Sequence, residues 1–125
     1  MISDPKIKRW ITSSRQAVCS SQKIGLLGGS FNPAHHGHLS ISKIALRRLG
    51  LNQIWWIVSP RNPLKEYDFL YDFEDRVFSA RKIINTNNIS ISKLELNAQI
   101  KYTIGTLEYL RTRYHRSRFV WIMGA

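Results

Sequence analysis

From Lys23 onward the chain switches between short apolar runs and stretches with helical spacing. Ile24 to Gly28 is a short apolar run; Gln53 to Ser59 is longer, continuous and β-prone, with Trp55-Trp56-Ile57-Val58 at its centre. Continuous runs of this kind predict strands covered on both faces of a sheet. Between them, Gly37 to Leu49 predicts a helix with Ile41, Ile44, Ala45 and Leu49 facing inward and Gly50 as its stop. Pro60 and Pro63 end the second strand, and residues 61–72 read as a polar, aromatic loop. Phe73 to Asn85 predicts a second helix along Phe73, Val77, Ala80 and Ile84. Asn87-Asn88 marks a turn, and Ile89 to Lys93 alternates as a third strand. Thr103 to Tyr114 predicts a third helix, with Thr103 as N-cap and Ile104, Leu107, Leu110 and Tyr114 inward. Arg118 to Met123 is a last strand.

The predicted order is β-α-β-α-β-α-β. Alternation at this spacing implies parallel strands joined by helical crossovers: an α/β, Rossmann-like doubly wound parallel sheet over residues 23–125. Such sheets bind ligands beyond the carboxyl ends of their strands, at the point where strand order reverses. The first strand-to-helix loop falls there.

That loop reads Gly28-Gly29-Ser30-Phe31-Asn32-Pro33-Ala34-His35-His36-Gly37-His38. Glycines let backbone approach a ligand closely, and a helix start offers unpaired N–H groups to an anion. His35 and His38, three apart, reach one ligand from the first helical turn. The bland alternative for both is capping of the helix or exposure to solvent. Zinc binding is a third, but no carboxylate or cysteine in the loop completes a site, so no metal ligand is assigned. Neither G-x-G-x-x-G nor the Walker pattern G-x-x-x-x-G-K-[ST] follows the first strand, which argues against the usual dinucleotide and Walker-type loops. Asp75 and Arg76 on the second helix read as surface charges, and Trp55, Trp56 and Trp121 as core.

The chain has 125 residues, 43% of them hydrophobic, with four tryptophans: one globular domain. No apolar run approaches the ~20 residues of a membrane span. Cys19 is the only cysteine, in keeping with a reducing cytoplasm. The net charge of +11 draws polyanions such as nucleotides or nucleic acid. Residues 1–22 form a basic N-terminal extension, with Lys6, Lys8, Arg9 and Arg15 against Asp4 alone, a short helical stretch at Ile7 to Ile11, and a serine-rich patch. It lacks the apolar core of a secretory signal; its poverty in acids gives a weak organellar transit alternative.

The loop resembles G-x-F-x-P-x-H-x-G-H, the phosphate loop of the nucleotidyltransferase superfamily, at Gly29, Phe31, Pro33, His35, Gly37 and His38. Over residues 23–125 the chain is similar to the bacterial nicotinate-nucleotide adenylyltransferases. The Trp55-Trp56-Ile57-Val58 strand leading to Asn62-Pro63-Leu64-Lys65 carries this likeness, as do Lys101 to Leu107 and Phe119-Val120-Trp121-Ile122-Met123-Gly124-Ala125. The resemblance implies adenylyl transfer from ATP to nicotinate mononucleotide, giving deamido-NAD and pyrophosphate with Mg2+, a step of NAD biosynthesis. It implies His35, His38 and Lys65 at the transferred phosphates, nucleotide contacts from Gly28, Gly29, Ser30, Phe31, Gly37 and Gly124, and substrate contacts from Tyr102 and Thr103.

The family often reads Pro-Pro-His-Lys where this chain has Asn62-Pro63-Leu64-Lys65, and an acidic residue where Gly105 stands. Past Gly-Ala it continues with an aspartate and an I-S-S-T-x-x-R segment, neither of which follows Ala125. The expectation is therefore a fragment holding half a binding site, with reduced or no turnover and a last strand prone to homo-oligomer contacts. Two rivals stand beside it: another nucleotidyltransferase, such as phosphopantetheine adenylyltransferase or a cytidylyltransferase, and a basic nucleic-acid-binding module. The scattered basic residues and the lack of RNP, KH or zinc-finger patterns weigh against the second.

Overall fold

The computed structural model describes residues 21–60, 72–97 and 103–122. Four strands, β1 (Lys23–Gly29), β2 (Gln53–Val58), β3 (Ile89–Ser92) and β4 (Arg118–Ile122), form one sheet in the order β3-β2-β1-β4. Every pairing is parallel, with Leu26 beside both Trp55 and Trp121. The helices are α1 (His36–Arg48), α2 (Phe73–Ile83), α3 (Leu94–Asn97) and α4 (Thr103–Arg113). The one-turn α3 has no counterpart in the sequence reading.

Strand residues alternate between two apolar layers, as a sheet covered on both faces requires. Leu27, Ile54, Trp56, Val58, Ile89 and Ile91 pack on one side with Leu39 and Ala45 of α1 and Val77 and Ala80 of α2. Ile24, Leu26, Trp55 and Ile57 pack on the other with Leu107 and Leu110 of α4, Leu94 of α3 and Tyr114. The chain runs outward from β1 to β2 and β3, then returns to place β4 on the far side of β1. This is the doubly wound arrangement the alternation predicts, and the reversal falls at β1, where the phosphate-loop sequence begins. The sheet's neighbours extend to residue 22: the Gln22 carbonyl accepts from Arg118 N–H at 2.8 Å.

Gly50 ends α1 as expected. It takes φ +62°, which other residues adopt only with strain. The Leu51 N–H then returns to the Leu46 carbonyl at 3.1 Å, closing a Schellman turn. Lys23 Nζ donates to the Leu49 carbonyl at 2.8 Å, placing a cation at the negative end of the helix.

Two helices present different faces from those the hydrophobic spacing predicts. Leu39, Ser42 and Ala45 are the buried residues of α1, while Ile41, Ile44 and Leu49 are each at least 40% exposed. On α4, Thr106 and Leu110 are buried, and Ile104 is 65% exposed. In both cases a buried polar contact sets the rotation. Ser42 Oγ accepts from the Trp56 indole N–H at 2.8 Å, and the Thr106 hydroxyl donates to Glu95 Oε2 at 2.6 Å. An indole N–H or a carboxylate buried without a partner costs more than a few exposed isoleucine carbons lose. Thr103 is the first residue of α4 rather than its cap.

Candidate active site

The path from β1 to α1 is short and tightly turned. Phe31 takes φ 51°, a left-handed conformation rare outside glycine, and Asn32-Pro33 is a cis peptide. The turn drives the Phe31 ring into the core, where it is 2% exposed and stacks on Trp56 with centroids 5.2 Å apart. His38 lies against the same ring at 4.6 Å. Phe31 in this signature is thus a wedge that seats the loop.

His35 and His38 are the two halves of a capping box at the start of α1. Nδ1 of His35 accepts the Gly37 N–H, and Nδ1 of His38 accepts the His35 N–H, each at 3.0 Å. With Nδ1 occupied as an acceptor, the proton of each neutral ring sits on Nε2. Capping and ligand donation are therefore compatible: the cap consumes one nitrogen and leaves an N–H on the other. The ring centroids lie 4.1 Å apart. The His38 carbonyl accepts the Ser42 hydroxyl at 2.8 Å, and Ser42 in turn accepts from Trp56. Burial, and then the neighbouring His35, hold the His38 pKa below its usual value, so a neutral donor is favoured there. His36, between them, is exposed.

The glycines divide by role. A Cβ on Gly37 would lie 2.6 Å from Cε1 of the His35 ring, so only glycine lets that ring fold onto the helix start. A Cβ on Gly28 would lie 2.6 Å from the Trp121 ring, on the α4 side of the sheet. Gly28 thus also serves packing. A Cβ on Gly29 would make only ordinary contact with Phe31.

Arg76 corrects the sequence reading. It is 2% exposed, not a surface charge. Its Nη1 donates to the carbonyls of Ser30 and Ser59, each at 2.7 Å, and its Nη2 to that of Pro60 at 2.9 Å. The guanidinium fork thereby ties the end of β1 to the end of β2. The sequence carries a signal for this: position 76 falls on the same stripe as Phe73, Val77 and Ala80, which the spacing turns inward. Asp75 is exposed, as expected. Lys65, Tyr102 and Gly124 lie outside the described residues, as does the Thr103 side chain.

Backbone N–H groups, a helix N-terminus with no acidic residue in its first turn, and two imidazole N–H donors meet where the strand order reverses. Fold and loop together define an α/β domain whose first strand-to-helix loop, with these N–H donors, lies at the carboxyl end of a parallel sheet. The chain belongs to the cytidylyltransferase-like family, whose model matches residues 26–125. It is 46% identical over 111 residues to a probable nicotinate-nucleotide adenylyltransferase of Parvibaculum lavamentivorans, covering 89% of this chain and 55% of that protein. It is 52% identical over 103 residues to one of Bradyrhizobium sp., covering 82% of this chain and 54% of that protein. The chain thus spans about half the length of the curated relatives it matches. Among solved structures it resembles a putative nicotinate-nucleotide adenylyltransferase of Vibrio parahaemolyticus (TM-score 0.68, 21% identity, covering 82% of this chain and 61% of that one). It also resembles the Plasmodium falciparum nicotinic acid mononucleotide adenylyltransferase complexed with NaAD (TM-score 0.67, 20% identity, covering 80% and 50%). At such identity these likenesses speak for the fold. No helix among the described residues is long and apolar enough to cross a membrane.

Proposed function

We propose that these residues form the triphosphate-holding half of a nicotinate-nucleotide adenylyltransferase site. The observation that carries this reading is the pair of Nδ1-capped imidazoles, each with its Nε2–H free for an anion at the positive end of α1. The names of the curated relatives support the choice of nicotinate mononucleotide as acceptor and ATP as donor.

In the proposed reaction a phosphate oxygen of nicotinate mononucleotide attacks the α-phosphorus of ATP. A new P–O bond forms, the bond to the bridging oxygen breaks, and pyrophosphate leaves with the electron pair. The nucleophile is already anionic, so no strong base is required. The protein's work is alignment and neutralisation of charge around phosphorus. His35, His38 and the N–H groups at the start of α1 donate to phosphate oxygens. The reading assigns Lys65 and Gly124 to the nucleotide side and Tyr102 and Thr103 to the acceptor.

Among the described residues no group of three or more His, Cys, Asp or Glu side chains is placed to hold a metal ion. The loop offers N–H donors, which suit phosphate oxygens rather than a cation. In this scheme Mg2+ enters on the triphosphate, as part of the substrate, where it offsets negative charge. The reading places the protein in the cytoplasm, where ATP is abundant.

The test is titration of 15N-labelled protein with ATP and Mg2+, followed by addition of nicotinate mononucleotide and mass analysis of products. Shifts of the His35 and His38 Nε2 signals support the reading. Unmoved imidazoles with saturating ATP overturn it.

A further inference from the structure

Arg76 is the one charged residue among the described residues that is this deeply buried, and what it binds is the underside of the phosphate loop. A guanidinium presents five N–H donors in a fixed planar fork. Here the fork gathers carbonyls that emerge from the ends of two adjacent strands, at Ser30, Ser59 and Pro60. A second link runs beside it: Ser59 N–H donates to the Gly29 carbonyl at 2.8 Å.

The Ser30 contact has a geometric consequence. Ser30 and Phe31 share a trans peptide, in which N–H and C=O point in opposite directions. Arg76 draws the Ser30 carbonyl down into the fold, so the Phe31 N–H is turned up and away from the guanidinium. The same peptide leads into the left-handed Phe31, whose ring packs against both Trp56 and His38 in one three-ring cluster. A peptide beside a strained residue has an alternative orientation, with carbonyl out and N–H in, that would set a partial negative charge against an incoming phosphate. A buried cation under the carbonyl disfavours that alternative.

Resting on the adenylyltransferase reading above, we propose that Arg76 is a positioning residue that locks the Ser30–Phe31 peptide with its N–H toward the bound triphosphate. The Phe31 N–H is then a donor to ATP, and Arg76 acts through it without touching the ligand.

The experiment follows the Phe31 backbone amide by NMR during an ATP titration of wild type, R76K, R76M and V77A. In wild type the Phe31 amide proton moves downfield together with the imidazole Nε2 signals. R76M binds ATP about tenfold more weakly, the worth of one charge-assisted hydrogen bond, and its Phe31 shift is lost while the imidazole shifts remain. R76K, which keeps the charge and part of the hydrogen bonding, restores part of both. V77A loosens the same helix through its core and leaves the Phe31 response intact, which separates positioning from mere stability. If R76M does not fold, wild type and R76K decide the matter. Imidazole shifts without a Phe31 shift in wild type overturn the role of Arg76 and leave the adenylyltransferase reading standing. So does a Phe31 response in R76M, or in R76K alone, equal to that of wild type. Silence of both imidazoles and Phe31 overturns the parent reading.

Discussion

The main-chain N–H of His35 donates to Nδ1 of His38 at 3.0 Å, and the two rings lie 4.1 Å apart. Each ring is thereby fixed by the backbone of its own turn. The pair is a structural cap and a preset couple of N–H donors at once, so the two roles separate only in variants that keep one and lose the other.

His35→Asn makes that separation. Asparagine is a strong N-cap residue, so its carbonyl oxygen takes over the Gly37 N–H, but it cannot present a distant N–H as the imidazole does. H35N is expected to unfold within a few tenths of a kcal/mol of wild type. H35A loses about 1 kcal/mol with the cap. Both lose ATP affinity to a similar extent. Thermal unfolding beside calorimetric ATP binding reads the two effects independently; full ATP affinity in H35N would show that His35 is a cap and nothing more.

Gly37→Ala tests the same ring from the other side. The added methyl meets Cε1 and Nδ1 of His35 at 2.6 and 2.8 Å and drives the ring off the Gly37 N–H. Alanine favours the helix by roughly 1 kcal/mol over glycine, against a lost cap of similar size. Stability should therefore change little while ATP binding falls at least tenfold. Gly28→Ala meets the rigid Trp121 ring at 2.6 Å and is expected to cost about 1–3 kcal/mol through packing on the α4 side. Unfolding midpoints and ATP titrations of the two variants, side by side, check the contrast.

The loop was legible because its parts lie within about ten residues and each answers to local chemistry: close-approach glycines, a helix start, and a pair of histidines able to cap it or to donate from it. The strands were legible because both faces of the sheet are covered, so Ile24 to Leu27 and Ile54 to Val58 are apolar without a break. What escaped were polar residues that face inward. Ser42, Thr106 and Arg76 each sit on the buried stripe of a helix, where hydrophobic spacing passes over them. Their partners lie on other elements of the fold: Trp56 for Ser42, Glu95 for Thr106, Ser30 for Arg76. Without those partners in view, Ile41, Ile44 and Ile104 look like the better inward residues. The hydrogen bond, not the apolar count, settles which way α1 and α4 turn.

Acid should act on the loop through His38. Its folded pKa is held below the ordinary imidazole value of 6.5, chiefly by burial and next by His35. The unfolded chain therefore takes up this proton first. The contribution of the neutral ring to stability is full above 6.5 and is lost as pH falls through the lowered folded value. Protonation also converts Nδ1 from acceptor to donor, which breaks its bond from the His35 N–H. Thermal unfolding across this pH range should show a stability loss that is absent in H38Q, whose carbonyl oxygen can accept without titrating. Equal slopes in the two proteins would remove His38 as the source.

Glu95 should give a pH dependence of the opposite sign. Burial raises its pKa, and the Thr106 hydroxyl, donating at 2.6 Å, offsets part of that rise. Below the usual carboxylate range both folded and unfolded chains hold the proton, and the buried group is neutral. As pH climbs, the unfolded chain releases its proton first, and folding must then either retain a proton or bury a charge. Stability contributed by the neutral carboxyl is thus present at low pH and is lost as pH rises through the raised folded value. Glu95→Gln keeps an oxygen for Thr106 and carries no charge at any pH. It should match wild type in acid and exceed it at neutral pH. Thr106→Val leaves the carboxylate without its donor and should destabilise by about 1–3 kcal/mol at neutral pH. Chemical denaturation of the three proteins at acid and neutral pH measures both effects. An E95Q protein that is less stable than wild type at neutral pH would mean that the charged carboxylate, rather than the oxygen it offers Thr106, holds α3 against α4.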